Sequence, residues 1–144
     1  MAPRAVRIVV TRPAAEAERW TQALCEHGIE AHSLPLIDIA PLPDAAGLQA
    51  TWQGVPQHAA LMFVSANAVD GFLGNGLAWL ARPRAWATGP GTRDALLRRG
   101  VPPVQVDAPA ADASQFDSER LWPLLQAVGD WAGRQMLWLC GDGG

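Results

Sequence analysis

The chain has 144 residues, 49% of them hydrophobic, with a net charge of −3 and a pI near 5.5. That length and apolar content suit one packed domain of ordinary size and exclude a disordered chain. The acidic balance, with no arginine-rich run and no interleaved aromatic set, argues against a nucleic-acid surface.

The first apolar run, Val6 to Val10 (VRIVV), predicts a strand that ends at Thr11-Arg12-Pro13. It is too short for the apolar core of a signal peptide and far too short to span a membrane. From Ala14 to His27, Ala17, Trp20, Ala23 and Leu24 recur at helical spacing, and Gly28 is a natural helix stop. Ile29 to Leu34 (IEAHSL) predicts a second strand, which completes a βαβ unit. Leu34 to Pro43 (LPLIDIAPLP) breaks the rhythm, because its prolines prevent helix while the residues between them stay apolar. An extended crossing strand or linker is expected there.

The alternation then resumes with a weak helix from about Asp44 to Trp52 and the strand Ala60 to Val64 (ALMFV). A helix follows from about Ala66, broken at Gly74-Asn75-Gly76. AWAT (Ala85 to Thr88) predicts the next strand, followed by a Gly89-Pro90-Gly91 turn and a helix to Arg99 that Gly100 closes. A short strand is expected around Val104 to Val106, a helix in FDSERLWPLLQAV, and a last strand in RQMLWLC that runs into Gly141-Asp142-Gly143-Gly144. Strands alternating with longer helical patterns are the signature of a parallel α/β sheet.

All 11 basic residues are arginine, which reflects a compositional bias and also supplies rigid forks for carboxylates. Cys25 and Cys140 are far apart and outside any CxxC pair, so both read as buried free thiols of a reduced, cytoplasmic protein. His27, His32 and His58 lack metal-spaced partners, so no metal is expected.

Three strands end in small-residue turns: Val64-Ser65-Ala66-Asn67, Thr88-Gly89-Pro90-Gly91-Thr92 and Cys140-Gly141-Asp142-Gly143. In an open parallel sheet such turns share the carboxyl edge, where unpaired N–H groups at helix starts favour an anion. Ser65 and Thr92 each have two readings, as a helix cap or as a hydroxyl facing a ligand, with capping the simpler one. The glycine turn lacks the lysine of a P-loop, carries Asp94 where a dinucleotide fingerprint needs its third glycine, and loses one donor at Pro90. No nucleophile triad or paired carboxylates can be assembled.

VVTRP (Val9 to Pro13), LPLIDIAPL (Leu34 to Leu42), FVSANAV (Phe63 to Val69), ATGPGT (Ala87 to Thr92), FDSERLWPLL (Phe116 to Leu125) and the terminal CGDGG, taken in order, resemble the uroporphyrinogen-III synthase family. The resemblance covers essentially the whole chain. It implies a cofactor-free lyase of tetrapyrrole biosynthesis that cyclises hydroxymethylbilane to uroporphyrinogen III, losing water and inverting ring D. It also implies two flavodoxin-like α/β lobes joined by an extended connector, with the substrate in a cleft between them. By that pattern residues 1–34 form the βαβ part of the first lobe, 35–43 the connector and 44–144 most of the second lobe. Ser65 and Thr92 match cleft-facing hydroxyl positions, and Thr11 and Arg12 lie at the cleft edge of the first lobe. The substrate-binding set expected is Thr11, Arg12, Ser65, Ala66, Asn67, Gly89, Gly91, Thr92 and Gly141, with no residue assigned to catalysis and no metal. The chain departs from the pattern in having no tyrosine for the family's cleft position.

The strand-then-turn ending at Gly144 leads to the expectation of an incomplete second lobe, a chain of little activity by itself, and pairing or domain swapping through residues 1–34 in place of the complete form's monomer. The alternative kept open is a non-catalytic α/β anion-binding or regulatory domain of the same fold.

Overall fold

The computed structural model describes residues 6–41, 43–74, 79, 82–113, 116 and 118–141. Two compact units divide the chain, Met1–Pro41 and Leu42–Gly144.

In the first unit β1 (Arg7–Val10) and β2 (Glu30–Ser33) pair in parallel, with Arg7 opposite Glu30 and Val10 opposite Ser33. α1 (Ala14–Glu26) crosses between them. It starts directly after Pro13, whose carbonyl accepts the Glu16 and Ala17 N–H groups, and it ends at His27 with Gly28 at φ +75°, a conformation that glycine adopts without a Cβ clash. Ala17, Val10 and Ala31 are the buried apolar residues of this unit among those described. The helical spacing placed Trp20 and Ala23 on the inner stripe, yet Trp20 is 52% exposed and Ala23 is exposed too. A sheet of two short strands is too narrow to cover the full stripe of a four-turn helix, so only its Ala17 row is shielded.

No strand forms over 34–41, where an extended strand or linker was expected. Its start is tied down by Leu34 N–H to the Val10 carbonyl (2.9 Å) and Leu36 N–H to the Thr11 carbonyl (3.3 Å).

The second unit is a parallel four-stranded sheet flanked by helices, consistent with a flavodoxin-like lobe. α2 (Ala45–Gly54) begins at Asp44, whose carboxylate accepts the Gly47 N–H at 2.8 Å. There follow β3 (Ala60–Phe63), α3 (Ala66–Leu73), β4 (Arg84–Ala87), α4 (Pro90–Arg98), β5 (Val106–Asp107), α5 (Ser118–Val128) and β6 (Met136–Leu139). The strand expected at Val104 to Val106 starts later: Pro103–Gln105 forms a single 3-10 turn, which two consecutive prolines favour over extended pairing, and Val104 faces solvent. The break expected at Gly74-Asn75-Gly76 reaches residues 75 and 76, outside the described residues, as are 142–144 of the terminal turn.

Sheet order is β5-β4-β3-β6, with Phe63 opposite both Ala87 and Leu139. The period-2 alternation of the strands sorts the core into two layers. Leu61, Phe63, Ala85 and Ala87 face α2, α3 and α4, and pack with Trp52, Val69, Phe72 and Leu96. Trp52 stacks on Phe72 with centroids 4.9 Å apart and donates its indole N–H to the Phe72 carbonyl at 3.1 Å, which fastens α2 to α3. Ala60 and Trp86 face the other way, onto Leu121 and Leu125 of α5. On β6, Met136 and Trp138 are exposed, whereas Leu137 and Leu139 pack on the first layer.

The buried carboxylate Asp107 receives Arg84 as a fork, Nε at 2.5 Å and Nη2 at 2.6 Å, joining β4 to β5. These hydrogen bonds raise the Arg84 pKa above its ordinary value, and the Asp107 charge adds to them against an opposing desolvation. Both cysteines are free, but Cys25 and Cys140 are exposed, not buried as expected: Cys25 lies outside the one shielded row of α1, and Cys140 stands beyond the last paired residue of β6. Among the described residues no helix is long and apolar enough to cross a membrane.

Candidate functional site at the carboxyl edge

Because all four strands of the second unit run in parallel, the turns after β3, β4 and β6 fall on one edge, as the sequence predicted. The register makes this quantitative. Phe63, Ala87 and Leu139 lie in one row, so Ser65, Gly89 and Gly141 follow two residues later on three adjacent strands.

Strand order adds something the sequence did not reveal. The chain winds outward from β3 to β4 to β5, then crosses back to place β6 on the other side of β3. The winding direction therefore reverses between β3 and β6, which makes the gap between their carboxyl ends a topological switch point, the usual place for a ligand in an open α/β sheet. Ser65 and Gly141 flank it, while the Gly89 turn lies one strand to the side.

Val64 holds these turns together. Its N–H bonds the Leu139 carbonyl at 3.4 Å, and its own carbonyl accepts the Thr88 hydroxyl at 3.3 Å, so one residue ties β6 and β4 to the end of β3. Thr88 was quoted within the glycine turn, but no local signal distinguishes this link, because its partner is 24 residues away in sequence.

Ser65 is extended (φ −158°, ψ 163°), and its Oγ accepts the Ala68 N–H at 3.1 Å. The cap reading therefore holds, with the hydroxyl hydrogen still available to donate. The Ser65 carbonyl takes the Val69 N–H at 3.2 Å, which leaves the first-turn N–H groups of Ala66 and Asn67 without an intrahelical acceptor.

The cap reading of Thr92 does not hold. α4 begins at Pro90 with Gly89 as its cap residue, because proline's fixed φ is already helical and its missing N–H costs nothing at the first position. Thr92 thus sits inside the first turn, 6% exposed, and the next N–H, that of Arg93, bonds the Gly89 carbonyl at 3.0 Å. Gly91 and Thr92 supply the free N–H groups of this turn.

The two glycines differ in surroundings. A Cβ on Gly89 would come 3.1 Å from the Cβ of Phe116, so the ring covers that side of the turn. Around Gly91, and around Gly141, a Cβ would meet nothing within 4 Å. Phe116 was noted only as the start of a motif, and its approach to Gly89 comes from tertiary packing.

In the first unit Thr11 and Arg12 are exposed at the end of β1, the equivalent edge of that smaller sheet. Arg12 turns back on its own helix, with Nε and Nη2 at 2.8 and 2.6 Å from Glu16 Oε2. The structure therefore brings Ser65, Ala66, Asn67, Gly89, Gly91, Thr92 and Gly141 to one sheet edge, and places Thr11 and Arg12 on the sheet of the other unit. The shared edge offers backbone N–H donors and hydroxyls, which suit carboxylate or phosphate oxygens.

A family model described as uroporphyrinogen-III synthase HemD matches residues 18–144, and the chain belongs to that family. No curated protein matches the chain.

Proposed function

We propose that this member of the uroporphyrinogen-III synthase family acts on hydroxymethylbilane, closing it to uroporphyrinogen III with inversion of ring D and loss of water, and that the β3–β6 switch point is where part of the linear tetrapyrrole sits. The family match carries this reading, and the clustering of helix starts on one edge supports it. The substrate bears acidic side chains on every ring. Backbone N–H groups at Ala66, Asn67, Gly91 and Thr92 meet such carboxylates at the positive ends of α3 and α4, which lets an acidic protein hold a polyanion without a basic groove.

The reaction needs its reacting ring held so that closure occurs at the more hindered carbon, with a spirocyclic pyrrolenine as the intermediate. Positioning of this kind lowers the barrier by fixing orientation and does not require a nucleophile triad. In this reading Ser65 donates its free hydroxyl hydrogen to a side-chain carboxylate, Gly91 and Gly141 let the substrate approach the backbone closely, and Thr11 and Arg12 are substrate-binding residues of 1–34, the N-terminal βαβ part of the first lobe. Residues 35–43 form the connector and 44–144 most of the second lobe.

The test is incubation of the chain with enzymatically generated hydroxymethylbilane, followed by oxidation and separation of isomers I and III. Isomer III above the protein-free background supports the lyase. Saturable binding of uroporphyrin without isomer III marks a non-catalytic anion-binding domain, and weaker signal from the Ser65→Ala variant supports the switch-point seat; the absence of both isomer III and uroporphyrin binding with the parent chain overturns the reading.

A further inference from the structure

The geometry points to a second anion site on the opposite, amino edge of the four-stranded sheet, for a small phosphate- or carboxylate-bearing ligand. A cleft of about 760 Å³ opens there between the segments that lead into β3, β4 and β6. Its volume falls in the range of small-molecule sites. His58, Arg82, Arg84, Trp131 and Arg134 line it, against one carboxylate, Asp130.

The charge bookkeeping favours an anion. Arg7, Arg12, Arg84, Arg93 and Arg99 are each matched to a carboxylate. Arg82 and Arg134 make no ion pair among the described residues. Arg19 and Arg98 also make none, but they stand on α1 and α4, outside the cleft. Asp130 forms no ion pair with either among the described residues; its Oδ1 accepts the Ala132 N–H at 3.0 Å, and its single charge leaves the arginines in excess.

Cations are common near helix C-termini, where they bond the last carbonyls. Arg82 and Arg134 make no such bond among the described residues, so their guanidinium donors remain available. His58 is fixed by its Nδ1, which donates to the Gly54 carbonyl at 2.9 Å, so the neutral ring presents Nε2 as an acceptor for an O–H of the guest. Trp131 is held edge-to-face against Trp86 at 4.8 Å and anchored by its indole N–H to the Leu125 carbonyl at 2.7 Å, which makes it a firm apolar wall. Two planar forks beside a fixed ring and a rigid indole suit an oxyanion on a compact organic frame.

Isothermal titration of the full chain with inorganic pyrophosphate and, separately, with citrate tests this. Saturable binding is expected for at least one, and the tighter of the two identifies phosphoryl or carboxylate chemistry. The exposed double substitution Arg82→Gln/Arg134→Gln weakens that binding about tenfold or more, whereas Arg93→Gln, beside the carboxyl edge, changes it less than about twofold. Amide shifts on titration should appear at Ala59, Gly133 and Gln135, and not at Ala66 or Gly91. No saturable binding, binding that survives the double substitution, or shifts confined to Ala66 and Gly91 would each overturn the amino-edge site. The last outcome leaves the carboxyl-edge reading intact, so the two stand or fall separately.

Discussion

The two units use the same grammar and differ in what covers it. β1 (RIVV) and β3 (ALMF) are both four-residue parallel strands that lead through a short turn into a helix. Yet three of the four β3 residues are buried, against only Val10 of β1. In the second unit the sheet has helices on both faces and an aromatic core of Trp52, Phe63, Phe72 and Trp86. The first unit buries Val10 and two alanines among its described residues, and leaves Val9 and Trp20 about half exposed. An apolar face is a local property of the chain, whereas its burial depends on a second layer. Stability should therefore be concentrated in the second unit, with amides of β3 and β4 exchanging far more slowly than those of β1 and β2.

The contrast is broken most severely by Phe63→Ala. The side chain is fully buried, edge-on to Phe72 at 6.1 Å, and its loss should cost about 3–5 kcal/mol and abolish the urea transition of the second unit. Retention of a transition with an unchanged midpoint would show that this core does not govern the unit.

Next in size is Arg84→Ala, which strands the buried Asp107 carboxylate. With the Arg84 side chain one-third exposed, a loss of about 2–3 kcal/mol is expected in urea unfolding, partly restored when Asp107→Asn is added. A double variant no more stable than Arg84→Ala alone would remove the argument that an orphaned charge is the cause.

Ser65 separates folding from binding. Ser65→Ala removes the bond to the Ala68 N–H and should cost about 1 kcal/mol, while Ser65→Asp keeps an acceptor at the cap and should stay within about 0.5 kcal/mol of the parent. The same aspartate places a negative charge at the proposed carboxylate seat, so uroporphyrin binding should fall in a stable protein. Unchanged binding by Ser65→Asp would take Ser65 out of the seat.

The smallest effect belongs to the first unit. Arg7 and Glu30 pair at 3.0 Å across β1 and β2, but both are well exposed, so Arg7→Ala should shift stability by less than about 0.5 kcal/mol, and by less still in high salt. A loss above about 1 kcal/mol would mean that the small sheet depends on this pair.

Much of the candidate edge was legible in the residues. Pro90 and the glycines around it mark a helix start because φ is fixed or free at those positions, and Ser65 before a helical run marks a cap. The error over Thr92 came from weighing a hydroxyl's capping preference above the stronger pre-organisation that Pro90 provides two residues earlier. The misplaced β5 followed from reading Val104 as strand when two prolines had already removed the donors a ladder needs.

The sequence by itself determined the alternation of strands and helices, the parallel class, the glycine stops at Gly28 and Gly100, and the turns that carry free N–H groups. These depend on side chains and backbone freedom within a few residues. Only the tertiary structure decided that β6 returns beside β3, that Val64 joins the ends of three strands, that Phe116 lies against Gly89, and that Arg82 and Arg134 line one cleft. Each of these joins residues far apart in the chain, and strand order is set by how buried faces fit one another, a sum over distant contacts that no local stretch encodes.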